Sequence, residues 1–89
     1  MEILKCASAG TLESSDVYIE VEPSESGLTI ELDSVVFEQF GEKIKEVVND
    51  VFKEQGVKNA TVRVQDKGAL ECVIRARVES AILRGRGDK

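Results

Sequence analysis

An α+β fold is what this sequence predicts: an antiparallel sheet of two β-hairpins packed on one amphipathic helix, in the order ββαββ. Three observations carry that prediction. Two pairs of segments alternate apolar and polar residues with the two-residue period of a strand that has one buried face. A longer segment between the pairs repeats its apolar residues at helical spacing. Clusters of Gly, Pro, Ser, Asp and Asn punctuate the boundaries between them.

In chain order, Met1 to Ser8 holds Ile3, Leu4 and Ala7 without a clear period and is assigned no element. Ala9 to Asp16 reads as a polar loop, since Gly10 loosens the backbone and Thr11, Ser14, Ser15 and Asp16 favour turns in which their side chains bond nearby main-chain groups. Val17, Ile19 and Val21 then alternate with Tyr18, Glu20 and Glu22 until Pro23 ends the strand. Ser24 to Gly27 is a turn cluster, and Leu28, Ile30 and Leu32 resume the alternation, so the two runs predict a hairpin whose outer face carries Glu20, Glu22 and Glu31.

The helix follows. Its core stripe is Phe37, Phe40, Ile44, Val47, Val48 and Val51, with Gly56 placed to close it in a left-handed conformation. Asp33 and Ser34 precede it as residue types that cap helices, accepting bonds from the unpaired amides of the first turn. A further strand starts near Asn59 with Ala60, Val62 and Val64, and Asp66-Lys67-Gly68-Ala69 is a turn with Gly68 in the position that calls for a left-handed residue. From Leu70 the order Leu70, Cys72, Ile74, Ala76, Val78 against Glu71, Val73, Arg75, Arg77, Glu79 is again an unbroken alternation, which predicts a second hairpin. A helix competes for residues 70–83, because Leu70, Ile74, Val78 and Ala81 or Ile82 also fall on helical spacing. Residues 84–89 have the glycine and charge content of a flexible tail. The Arg-Gly-Asp triplet within them is most simply chance.

Composition narrows the function classes. The 89 residues suffice for one hydrophobic core, so residues 1–89 are expected to form a single domain. Hydrophobic residues make up 42% but aromatic ones only 4%, so the core must be aliphatic. A net charge of -5 argues against nucleic-acid partners, which demand a basic face. The absence of histidine removes the commonest general base and the commonest nitrogen ligand for metals. Cys6 and Cys72 have no metal or redox spacing and read as reduced thiols, Cys72 as a small core residue. No apolar run has the length of a signal or a membrane span, so a cytoplasmic protein without membrane contact is expected. Glu13 and Asp16 are acids with no partner visible in the sequence, which leaves a catalytic reading last.

The run Ala9-Gly10-Thr11-Leu12-Glu13-Ser14-Ser15-Asp16, with Val17-Tyr18-Ile19-Glu20-Val21-Glu22-Pro23 after it, resembles the acyl carrier protein (gamma subunit) of citrate lyase. The resemblance continues through Gln39-Phe40-Gly41 and Asp66-Lys67-Gly68-Ala69-Leu70 and covers nearly the whole chain. It implies that residues 1–16 form an N-terminal arm and attachment loop, in which Ser14 is joined through a phosphodiester to 2'-(5''-triphosphoribosyl)-3'-dephospho-CoA. The fold it implies is not the four-helix bundle of conventional acyl carriers, although Asp33-Ser34-Val35 superficially matches their attachment motif. Implied partners are an alpha subunit that transfers acyl groups, a beta subunit that cleaves the citryl thioester, and a prosthetic-group transferase. The chain itself would be a non-catalytic carrier. One departure stands out: the residue after the modified serine is commonly glycine in that family, and here it is Ser15. Carriers of citramalate lyase or malonate decarboxylase, and an unmodified interaction domain, remain as alternatives.

Overall fold

The computed structural model describes residues 3–87, and its elements in chain order are β1 (Ala7–Gly10), β2 (Val17–Pro23), β3 (Leu28–Ser34), α1 (Phe37–Glu54), β4 (Ala60–Asp66) and α2 (Glu71–Gly85). The α+β class and the distinction from a helical bundle are both borne out. The strands form one sheet in the order β1-β2-β4-β3. It is mixed where a wholly antiparallel sheet was predicted: β1 with β2 and β2 with β4 run antiparallel, while β3 and β4 run parallel.

Neither predicted hairpin forms, and in each case a central strand explains why. β4 inserts between β2 and β3, so that Ala60 is flanked by Pro23 on one side and Leu28 on the other. Alternation in β2 and β3 reports which face each strand buries, not which strand it sits beside. The Ser24–Gly27 turn therefore spans the gap that β4 fills, and it grips the incoming strand. Gly27 donates to the Asn59 side-chain oxygen at 2.9 Å, and Ala60 N–H donates to the Gly27 carbonyl at 3.1 Å. The hairpin that does form is β1 with β2, built on a segment whose sequence carries no strand period.

Residues 71–85 are helical, where a strand was predicted over 70–83. With both edges of β4 occupied, no partner edge on β4 remains for a returning strand. The residues α2 buries are Ile74, Val78, Ala81, Ile82 and Gly85, a helical stripe that lies on the sheet. Cys72 falls off that stripe and is exposed, as is Cys6, so the expectation of a core cysteine fails with the strand. Arg84 and Gly85, in the segment the sequence suggests as tail, complete the helix. The Gly85 carbonyl accepts N–H bonds from Leu4 at 2.9 Å and Lys5 at 3.1 Å, which fastens the start of the chain to its end. Asp88 and Lys89 of the predicted tail, and Met1 and Glu2 of the arm, lie outside the described residues.

α1 buries Ile44, Val47, Val48, Val51 and Phe52 against the same sheet face. Phe37 and Phe40, predicted for that stripe, are instead 47% and 52% exposed. The helix also starts without the predicted side-chain cap. Its N-cap is Val36, and Ser34, still paired in β3 opposite Asp66, turns its hydroxyl to donate to the Asp66 carboxylate at 2.8 Å while accepting Val36 N–H at 3.1 Å. Asp33 is exposed and caps nothing. At the other end Gly56 has φ +72, as its place after the helix requires.

The sheet's second face is polar. Arg63 lies opposite Glu20 in β2 and Glu31 in β3, and its guanidinium reaches Glu22 at 2.7 Å and Glu31 at 3.2 Å. No helix among the described residues is long and apolar enough to cross a membrane.

Candidate functional site

The loop between β1 and β2 is shaped by its ends. Gly10 has φ +98, and a Cβ there would collide with the Val17 carbonyl oxygen, so the chain can turn out of β1 only at a glycine. Thr11 N–H then bonds that same carbonyl at 3.2 Å. Inside the loop the Thr11 hydroxyl donates to the Asp16 carboxylate at 2.6 Å and accepts Glu13 N–H at 3.2 Å, and Asp16 N–H closes on the Glu13 carbonyl at 3.1 Å. The loop is thus ordered by its own polar groups.

Ser14 is exposed, as are Leu12, Glu13 and Ser15, and its side chain takes no part in those bonds. Ser15 is different. Its φ is +65, the only positive value among the described non-glycine residues, and its N–H donates to the Lys67 carbonyl at 2.8 Å. Position 15 therefore has the backbone geometry that favours glycine, the residue type the resemblance leads one to expect there. The attached group that the resemblance implies would need an accessible hydroxyl and a surrounding that does not repel its charge. Ser14 is exposed.

Asp16 bears on the second, because its carboxylate is neutralised by a residue the sequence did not single out. Arg77 of α2 donates to it twice, at 2.9 and 3.2 Å, and the two residues are 61 apart in the chain. The Arg77 hydrogen bonds, with those from Thr11 and the Val17 amide, hold the Asp16 carboxyl down to about 2 from its ordinary 3.8. The notion of Asp16 as an unpartnered acid is corrected: it is a structural brace between loop and helix. A second brace runs to the β4–α2 turn, where Lys67 N–H donates to the Asp16 carbonyl at 2.9 Å. Asp66, buried below it, accepts Ala69 N–H at 2.9 Å as well as the Ser34 hydroxyl, and so fixes the Lys67-Gly68-Ala69 turn. Gly68 takes the predicted left-handed conformation with φ +90, in a strand-to-helix turn rather than a hairpin.

Beside that turn, between the starts of α1 and α2, lies a groove of about 480 Å³. It is lined by the apolar Val36, Phe40, Ile44, Val47, Leu70 and Ile74, by Gly68 and Ala69 of the turn, and by Lys43 and Glu71. Leu70 is 71% exposed. The exposed Phe40 and Leu70, which a periodicity argument assigns to cores, are the signal that the sequence alone could not interpret.

A family model described as malonate decarboxylase delta subunit (MdcD) matches residues 5–85. The citrate lyase acyl carrier protein of Pectobacterium atrosepticum is 56% identical over 84 residues, which covers 94% of this chain and 88% of that one. Citrate lyase acyl carrier protein 2 of Salmonella paratyphi A is 55% identical over 85 residues, again over 94% and 88% of the two chains. In fold the chain is similar to one in the crystal structure of a Pseudomonas malonate decarboxylase hetero-tetramer in complex with malonate, with a TM-score of 0.78 and 23% identity over 90% of this chain and 82% of the other.

Proposed function

The chain belongs to the family of citrate lyase acyl carrier proteins, and from that premise we propose that it is the acyl carrier subunit of a citrate lyase complex, loaded on Ser14. The observation that carries the choice of serine is the exposed hydroxyl of Ser14 immediately before a residue held at φ +65. That backbone supports reading Ser14-Ser15 as the counterpart of the family's Ser-Gly step. Ser34 is committed to Asp66 and Val36, and Ser15 is pinned through its amide to Lys67.

The donor is 2'-(5''-triphosphoribosyl)-3'-dephospho-CoA: a dedicated enzyme joins its innermost phosphate to the Ser14 oxygen, pyrophosphate leaves, and the phosphoribosyl-dephospho-CoA remains in phosphodiester linkage. When bound, it supplies a terminal thiol that holds acetyl or citryl as a thioester. What the chain's own residues do is position. Gly10 and Thr11 set the loop's exit, Asp16 and Arg77 hold it against α2, and the Ser14 oxygen is presented to solvent beyond them. The alpha and beta subunits then meet the cargo at high effective concentration while the body stays docked. A malonate decarboxylase carrier is the second reading, favoured by the description of the family model and by the shared fold. The subunits that co-purify, and the mass of the acyl group on the arm, separate the two.

The test is intact and peptide mass spectrometry on protein made together with its modifying enzymes. Wild type is expected to carry the added mass on Ser14, and Ser14→Ala to lose it with a stability change within about 0.5 kcal/mol, as for other exposed loop substitutions. Mass retained in Ser14→Ala and lost in Ser15→Ala would move the acceptor to the next residue. Wild type that never gains mass would end the carrier reading.

A further inference from the structure

The groove between α1 and α2 is not needed to present Ser14, yet its lining reaches the turn that is bonded to the serine loop. Ser15 N–H and the Lys67 carbonyl are joined at 2.8 Å, and Gly68, the next residue, lines the groove. Adding standard backbone spacings on either side puts the Cα atoms of Ser14 and Gly68 within about 10 Å of each other. An arm attached to Ser14 is therefore anchored near the groove lining, and because its phosphoribosyl, adenosine and diphosphate portion comes first, its pantetheine end reaches the groove by folding back.

The groove has the size and chemistry of a small-molecule site. Its volume of about 480 Å³ falls within the range of roughly 300–1,000 Å³ seen for ligand pockets, and its walls are apolar with a few polar groups. Lys43 and Glu71 are 3.9 Å apart in the lining and leave the rest of the wall uncharged. A chain of methylenes and amides ending in an acetyl thioester suits such a surface. The two free carboxylates of a citryl end do not, because burying them without partners costs far more than apolar contact returns.

Resting on the carrier reading, we infer that this groove is the parking site of the chain's own prosthetic arm: it takes the pantetheine portion and an uncharged acetyl end, and leaves a citryl end in water. Phe40, Leu70 and Ile74 are the residues that contact it. An arm held there is shielded from water while the carrier is free, and a charged end is released towards the cleaving subunit.

The experiment compares amide and methyl NMR spectra of the isolated apo chain with those of the same chain carrying the acetylated arm. Shifts are expected at Phe40, Ala69, Leu70 and Ile74 as well as around Ser14, reduced when the end is citryl and lost in Phe40→Gln and Leu70→Ser. Both substituted side chains are largely exposed, so the variants keep the fold, which their remaining signals report. The acetyl thioester of both variants should also hydrolyse faster than that of wild type. If the arm's mass is present and shifts stay within residues 13–16, the groove inference is overturned while the carrier reading stands. Groove signals that respond only when a partner subunit is added would likewise overturn it and make the groove a docking face. Absence of added mass on Ser14 overturns both.

Discussion

Ser15 and Asp16 show how two adjacent residues give one loop opposite energetic tendencies. Ser15 sits at φ +65, a conformation that costs an L-residue roughly 1–2 kcal/mol. Glycine would remove that cost but gain about 0.4–1 kcal/mol of unfolded-state freedom. Ser15→Gly should therefore stabilise the protein by up to about 1.5 kcal/mol, read as a higher urea midpoint at unchanged slope. A lower midpoint would mean that the hydroxyl, not the backbone, matters at this position. Asp16 works in the other direction. Its folded pKa of about 2 lies below the ordinary 3.8, so the brace to Arg77 contributes fully above about pH 3.8 and is lost as pH falls from there towards 2. Asp16→Asn should flatten that part of the acid-unfolding curve and leave the region above pH 5 parallel to wild type. An unchanged acid limb would show that the ion pair is too well solvated to count.

At the scale of elements, α2 closes the molecule, packing over β1 and β2 and against α1. Ala76 is exposed at its centre, so Ala76→Pro tests the backbone alone: in a helix it removes a hydrogen bond and should cost about 3 kcal/mol or more, seen as a fall in the thermal midpoint. The class of fold, the helix α1 and the strands β2, β3 and β4 were all legible, because burial of one face leaves a period in the sequence. Strand order was not, since nothing in the alternation of Leu28, Ile30 and Leu32 says that β4 will come between them and Val21. For residues 70–83 both periods fit, and tertiary occupancy of the sheet edges decided in favour of the helix. β1 was invisible because its four residues, Ala7–Gly10, include two alanines, a serine and a glycine, none of which carries a strand signal. The serine loop could be read from turn residues and from resemblance. Its ties to Arg77 and Lys67 could not, because ion pairs and main-chain bonds between distant segments leave no local pattern.

For the whole molecule, the division between a braced loop at one end and a polar sheet face elsewhere bears on what the chain can do alone. Of the carboxylates at the loop, Asp16 is engaged by Arg77 and Thr11 and Asp66 by Ser34 and the Ala69 amide, while Glu13 stands exposed beside Ser14. The sequence has no histidine to serve as a general base. On the sheet face, Glu22 and Glu31 share Arg63, so this acidic face carries less free charge than its composition implies. The isolated chain, loaded or not, should therefore show no cleavage of citrate, and activity should return only when larger transferase and lyase subunits are added. That return should require Ser14 and survive Arg63→Gln, whose ion pairs are exposed and screened by solvent. Citrate cleavage by the purified chain would refute the division of labour, and loss of reconstituted activity in a folded Arg63→Gln variant would place a partner on the sheet face rather than at the end that carries Ser14.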